Sequence, residues 1–213
     1  MTDPVSLPAV VLAAGSATRF GSAKQTAPFD GEALVRRATR AAQAAGAAPV
    51  IVVVGAHADA VRATVSDLED VIVIENERWA TGLASSVTAG IQAARRSAKG
   101  ATGVLLLAAD QPLVDAAALR RLLNAFPGAH GAAAAAYDGV LGVPAAIGID
   151  HLDEVGQGAG DRGAGAWLRA NAAIVVAVEC AAAAHDVDTP DDLMRAAAML
   201  TGAIRPDRSS STN

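Results

Sequence analysis

The chain has 213 residues, 52% of them hydrophobic but only 3% aromatic, with a formal net charge of -5. That length suits one sizeable core, and the acidic balance excludes a polyanion such as DNA or RNA as partner. A lone cysteine, Cys180, excludes an internal disulfide and a cysteine-based zinc site.

The elements alternate in chain order. "PAVVLAA" reads as a buried strand leading into the loop "GSATRFGSAK". The segment 32–46 places Leu34, Val35, Ala38, Ala41, Ala42 and Ala45 on one helical face, with Gly46 as its stop. Pro49 to Gly55 is a second uniformly apolar strand, "HADAVRATVSDL" a helix, "VIVIEN" a third strand, and 82–96 a second long helix. "GVLLLAAD" predicts a fourth strand ending at Asp110, followed by a helix with Asp115 as N-cap. Beyond residue 130 the pair Asp138-Gly139 predicts a hairpin and hence some antiparallel pairing. "QGAGDRGAG" is a glycine-rich loop before a short helix at about 166–171, and "AIVVAVEC" is a late strand. Thr189, Pro190 and Asp191-Asp192 open a last helix.

Strands this apolar are covered on both faces, so the expected fold is α/β with a mostly parallel, mixed sheet. The expected organisation is one domain over 1–203 and a polar, frayed tail over 204–213. No apolar run reaches the roughly 18 residues that span a bilayer, and no basic segment precedes the first strand as in a signal peptide. The expectation is therefore a cytoplasmic protein with no membrane partner.

The opening loop matches neither common phosphate fingerprint: Gly21 is followed by Ser22 and Ala23 rather than by lysine, and Gly15 and Gly21 are too far apart for G-x-G-x-x-G. What remains is a small-residue loop whose backbone N–H groups can face an anion while Arg19 and Lys24 neutralise charge. Only Lys24 and Lys99 among 17 basic residues are lysines, so the choice of lysine here points to a compact charge. Asp110 ends an apolar strand at the carboxyl edge of the sheet, where open α/β folds bind ligands. A carboxylate there suits Mg²⁺ held together with substrate phosphates; a turn residue before Pro112 is the plain alternative. Asp186 and Asp188 offer a second carboxylate. Gly82, Ser85 and Ser86 open a helix with small side chains and hydroxyls, which also suits capping.

In order, "LAAGSATRFGSAK", "APFDGEALV", "WATGLASSV", "AADQPLV", "GVP", "GDRGAG" and "DVDTPDDL" resemble the MobA-like nucleotidyltransferases, and within them the molybdenum cofactor cytidylyltransferase group, over about 8–195. The resemblance implies a single Rossmann-like, three-layer domain of the nucleotide-diphospho-sugar transferase type. It implies that CMP is transferred from CTP to a phosphorylated acceptor, molybdopterin or its molybdenum form, with release of pyrophosphate. Leu12, Ala13, Ala14 and Gly15 would line the base and ribose, Arg19 and Lys24 clamp the triphosphate, and Gly82, Ser85 and Ser86 touch the nucleoside. Asp110 and Asp188 would hold Mg²⁺, with Mn²⁺ as the alternative, and Arg19, Lys24 and Asp110 would be the catalytic set. Gly142, Pro144, Gly160, Asp161 and Arg162 would bind the acceptor.

Guanylyl-transferring members resemble this loop with Ala-Gly-Gly, so the methyl of Ala14 favours CTP over GTP. Two positions depart from the cytidylyltransferase pattern: Val143 stands where Gly-His-Pro has histidine, and Gly165 where Gly-Asp-Lys-Gly-Ala-Arg has arginine. The alternatives are GTP as donor, another phosphorylated acceptor, or a non-catalytic nucleotide-binding protein serving a molybdenum enzyme. The expected assembly is a monomer or weak dimer.

Overall fold

The computed structural model describes residues 6–158, 160 and 163–202. Strand β1 (Ala9–Ala13) lies inside a seven-stranded sheet, beside β4 (Val50–Val54), beyond which runs β5 (Val71–Glu75). On its other side come β6 (Gly103–Ala108), β8 (Val140–Gly148), β7 (Ala132–Tyr137) and β9 (Val175–Glu179). Only β8 runs against the rest, pairing antiparallel with both β6 and β7. The expected mixed, mostly parallel sheet is what forms.

Strand alternation builds a core on each face. Val11, Val50, Val52, Leu105 and Leu107 pack against α1 (Leu34–Ala44), α2 (Ala58–Val65) and α4 (Ala116–Ala125). Val10, Ile51, Val53, Val104 and Leu106 point the opposite way, onto α3 (Leu83–Ser97), α5 (Leu152–Gly156) and α6 (Ala164–Ala170). A smaller third cluster joins Phe29, Leu34, Val187 and Ala196, the last on α7 (Pro190–Leu200).

The local signals act as expected at two helix starts. Asp115 accepts a hydrogen bond from the Ala118 N–H at 2.8 Å, and Thr189 and Asp192 form a reciprocal capping box. At the β7–β8 hairpin, Asp138 and Gly139 both adopt positive φ, 49° and 75°, as the Asp-Gly pair demands. The same dipeptide at Asp30-Gly31 makes a second, two-residue hairpin between β2 (Pro28–Phe29) and β3 (Glu32–Ala33), which the sequence reading did not include. The fourth strand stops at Ala108, so Asp110 stands in the turn beyond it, and the helix expected at 166 starts at Ala164. The expected tail, 204–213, lies outside the described residues. Among the described residues no helix is long and apolar enough to cross a membrane.

At Gly90, helix α3 lies so close to the sheet that an added Cβ would sit 2.3 Å from Val10 Cγ1. Gly90→Ala gains about 1 kcal/mol of helix propensity, but overpacking costs about 1–3 kcal/mol. The expected net result is a Tm a few degrees lower, measurable by thermal unfolding; a rise in Tm would show that α3 can lift off the sheet at little cost.

Candidate functional site

A cleft of about 760 Å³ opens along the carboxyl ends of β1 and β6 and continues across the β7–β8 hairpin to α6. At its near end the loop after β1 turns at Ala17, whose carbonyl accepts from the N–H groups of Phe20 and Gly21. A 3-10 turn at Lys24–Thr26 then buries Lys24 and Gln25. The Lys24 ammonium spends all three N–H donors: on Asp110 Oδ2, on Asp188 Oδ1 and on the Val187 carbonyl, each at 2.8 Å. Arg19, far more exposed, reaches the other Asp188 oxygen at 3.0 Å. A backbone bond from the Val187 N–H to the Asp110 carbonyl, 2.8 Å, locks the two aspartate segments side by side.

Electrostatics follow from this packing. Burial works against the charged Lys24 amine, but Asp110 and Asp188 outweigh it and its pKa is raised. The hydrogen bond from Lys24 holds the Asp188 carboxyl below the usual carboxylate range. Asp186, on the same segment, is pushed up by burial and by the neighbouring Asp110 charge. On the cleft lining, Gln25 donates to the Gly15 carbonyl at 2.7 Å, and Gln111 donates to the carbonyls of Val143 and Ala183. The amide oxygen of each is buried without a hydrogen-bond partner among the described residues.

The structure gathers most of the expected residues in this cleft: Leu12, Ala14, Gly15, Arg19, Lys24, Gly82, Ser86, Asp110, Gly142 and Asp188. It places several others elsewhere. Ala13 points to the opposite face of the sheet, into the core with Val11, because strand neighbours alternate. Ser85 is not part of the lining: Asn76 donates to its hydroxyl at 2.8 Å, and that hydroxyl donates in turn to backbone carbonyls of Arg78 and Gly82. Pro144 is likewise outside the lining, and Gly160 packs behind Gly82 and accepts from the Ala84 N–H. Asp161 and Arg162 lie outside the described residues.

Gln25, Tyr137 and Arg169 are among the cleft residues to which the sequence alone assigns no role. Gln25 is adjacent to Lys24 and shares its buried turn. Tyr137, the chain's single tyrosine, precedes the Asp138-Gly139 turn. Burial and nearby Asp186 push its phenol pKa up, with Arg169 pulling the other way. Arg169, on α6, closes the far end.

Residues 9–175 match the MobA-like NTP transferase domain family. Nicotine blue oxidoreductase of Paenarthrobacter nicotinovorans is 31% identical over 91% of this chain and 98% of that protein. The bifunctional protein GlmU of Pelobacter propionicus is 35% identical over 70% of the chain, which spans about a third (32%) of that protein. A nucleotidyl transferase from Methanothermobacter thermautotroptrophicus superposes with a TM-score of 0.79 at 25% identity, covering 93% of this chain and 99% of that one. A Mycobacterium tuberculosis H37Rv protein in complex with manganese gives 0.72 at 30% identity, covering 90% and 97%.

Removing the buried cation should expose the cost of the site. Lys24→Met leaves Asp110 and Asp188 facing each other, and the expected loss is about 1–3 kcal/mol, reduced from the fully buried case because both carboxylates touch water. Urea unfolding measures it; an unchanged midpoint refutes the pairing.

The pH dependence has a definite sign. Asp188 is depressed in the folded chain, so its ion pairs stabilise above the ordinary carboxylate pKa of about 4 and that contribution is lost as pH falls through its lower, folded value. The stability difference between the unaltered chain and Asp188→Asn should be constant near neutral pH and shrink on acidification below about 4.

Proposed function

The chain belongs to the MobA-like NTP transferase family, and from that premise we propose that it transfers CMP from CTP to a phosphorylated acceptor, molybdopterin, with release of pyrophosphate. The observation that carries this reading is the cluster of Arg19, Lys24, Asp110 and Asp188 at the carboxyl edge of the parallel strands, the ligand-binding edge of open α/β sheets.

In this reading an acceptor phosphate oxygen attacks the α-phosphorus of the nucleotide, the bond to the β-phosphate oxygen breaks, and pyrophosphate leaves. The nucleophile is already an anion, so the protein positions and neutralises rather than abstracting a proton. Arg19, exposed and held among the described residues only by Asp188, swings to the triphosphate. Lys24 stays fixed by Val187 and keeps a positive charge on the floor of the cleft. Ala14 and Leu12 form the base side, and Gly82 and Ser86 the nucleoside side.

The donor set around Lys24 also fits a divalent metal. Lys24 takes one oxygen of each aspartate, which leaves Asp110 Oδ1 and, once Arg19 has swung away, Asp188 Oδ2, and oxygen is what hard cations bind. Among the described residues no three acidic, histidine or cysteine side chains form a preformed cage; Mg²⁺ needs only one or two carboxylates when substrate phosphates complete its shell. Asp110 and Asp188 would hold Mg²⁺ or Mn²⁺, which supplies charge neutralisation to the phosphates. The manganese complex of the mycobacterial neighbour supports this assignment.

Pyrophosphate release measured with each NTP, molybdopterin, and Mg²⁺ or Mn²⁺ tests the reading. CTP is expected to be preferred, and Asp110→Asn to lower turnover about a hundredfold; no release with any NTP refutes it. Ala14→Gly should shift preference toward GTP by about tenfold, the scale of one or two methyl groups in a pocket.

A second reading, oxidoreduction, rests on the name of the relative that matches almost end to end. Nicotinamide cofactor consumption with nicotine blue and no pyrophosphate release with any NTP would favour it.

A further inference from the structure

Beyond the end of β1 the carbonyls of residues 14–17 have no strand to pair with, and each finds another donor. The Ala14 carbonyl accepts from the Ala56 N–H at 3.2 Å, the Gly15 carbonyl from Gln25 Nε2 at 2.7 Å and the Ser16 carbonyl from His57 Nε2 at 3.1 Å, while the Ala17 carbonyl closes the turn on Phe20 and Gly21. A carbonyl only accepts, so His57 carries a proton on Nε2. Gln25 comes from the turn that holds Lys24, and Ala56 and His57 from the turn between β4 and α2. That second turn lies hard against the loop: a Cβ at Gly55 would sit 2.7 Å from the Ala14 carbonyl oxygen.

Holding these carbonyls also orients the N–H groups. In a trans peptide the C=O and the next N–H lie in one plane and point opposite ways, so the contacts at 14–17 set the directions of the N–H groups of Gly15, Ser16, Ala17 and Thr18. All four residues line the cleft, and none of these N–H groups donates to a described residue. Ala17 has a φ of 52°, a left-handed conformation that alanine rarely adopts and that turns successive N–H groups to one concave side. Free donors in a row suit an anion with several oxygens, and they keep their direction only while the carbonyls are held.

Resting on the nucleotidyltransferase reading for the identity of the anion, we propose that Gln25 and His57 are positioning residues for the triphosphate: they fix the Gly15 and Ser16 carbonyls so that the loop N–H groups meet the phosphate oxygens already oriented. His57 is not part of the cleft lining and touches the loop at Ser16, whereas Gln25 lines the cleft and gives its amide N–H to Gly15. Donors ordered in advance bind and stabilise charge without first having to be arranged. Without His57 the Ser16 carbonyl is free, and the peptide that carries the Ala17 N–H can rotate.

Inorganic triphosphate is the probe, titrated calorimetrically into the whole chain in the presence of Mg²⁺. His57→Leu and Gln25→Met should each weaken it about tenfold, the scale of one hydrogen bond to a charged group. His57→Gln, which returns an N–H donor of similar reach, should recover most of the loss. In turnover, His57→Leu should raise the KM for CTP by about the same tenfold with kcat changed less than about twofold, the split expected when ground-state and transition-state binding fall together. The assignment is overturned by any of these: a parent chain that does not bind triphosphate, His57→Leu binding as tightly as the parent, His57→Gln no better than His57→Leu, a lower kcat at unchanged KM, or circular dichroism showing the fold lost in both His57→Leu and Gln25→Met. Because triphosphate binding needs no turnover, a chain that releases no pyrophosphate and still shows the His57 effect counts against the nucleotidyl-transfer reading alone.

Discussion

One ammonium group joins three distant parts of the chain. Lys24 sits in the turn after the first strand's loop, yet its hydrogen-bond partners are 86, 163 and 164 residues away. A buried lysine without partners would shed its proton or destabilise the fold; with two carboxylates and a carbonyl around it, the charge stays. Lys24 therefore ties the loop to the end of β6 and to the segment before α7, two segments already joined to each other by the bond from the Val187 N–H to the Asp110 carbonyl. Arg19 extends the same network to the surface, where it is weakly held and free to change partners.

The reversed strand β8 determines how the rest of the cleft is built. Six parallel strands present their carboxyl ends on one side, which is where Arg19, Lys24 and Asp110 gather. A β7–β8 hairpin adds what a purely parallel sheet cannot: a turn projecting beyond that edge, carrying Tyr137, Val140 and Leu141. With α6 facing it, the cleft runs from the charged group of Arg19, Lys24 and Asp110 to the largely apolar surface of Val140, Leu141 and Val143.

The apolar strands and capped helices were legible because their signals are local: continuous valine and leucine runs, Asp115 at an N-cap, Thr189 with Asp192. Asp30-Gly31 carried the same turn signal as Asp138-Gly139, but its flanking strands are two residues long and leave no run to notice. Ala13 against Ala14 was decidable from strand alternation, since Ala13 shares the face of Val11. Ser85 against Ser86 was not, because the outcome depends on Asn76, a buried side chain at the end of β5 that reaches both hydroxyls. The Lys24 contacts were likewise illegible; which carboxylates meet a given cation is a property of the folded topology, and nothing near Lys24 in sequence announces Asp110 or Asp188.

Asp188 owes its position to α7. The Asp192 carboxylate accepts from the backbone N–H of Asp188 and of Thr189 as well as from the Thr189 hydroxyl, so the cap that starts the helix also fixes the residue paired with Lys24 and Arg19. Yet α7 contributes a single fully buried residue, Ala196, to the smallest of the three cores. A helix so lightly packed belongs to the part of a protein that opens first. Were α7 to detach with the sheet intact, Lys24 would lose a carboxylate and Arg19 the only one it has among the described residues. Protection of α7 amides from exchange is then a direct gauge of how much of the population has an assembled site, independent of global stability.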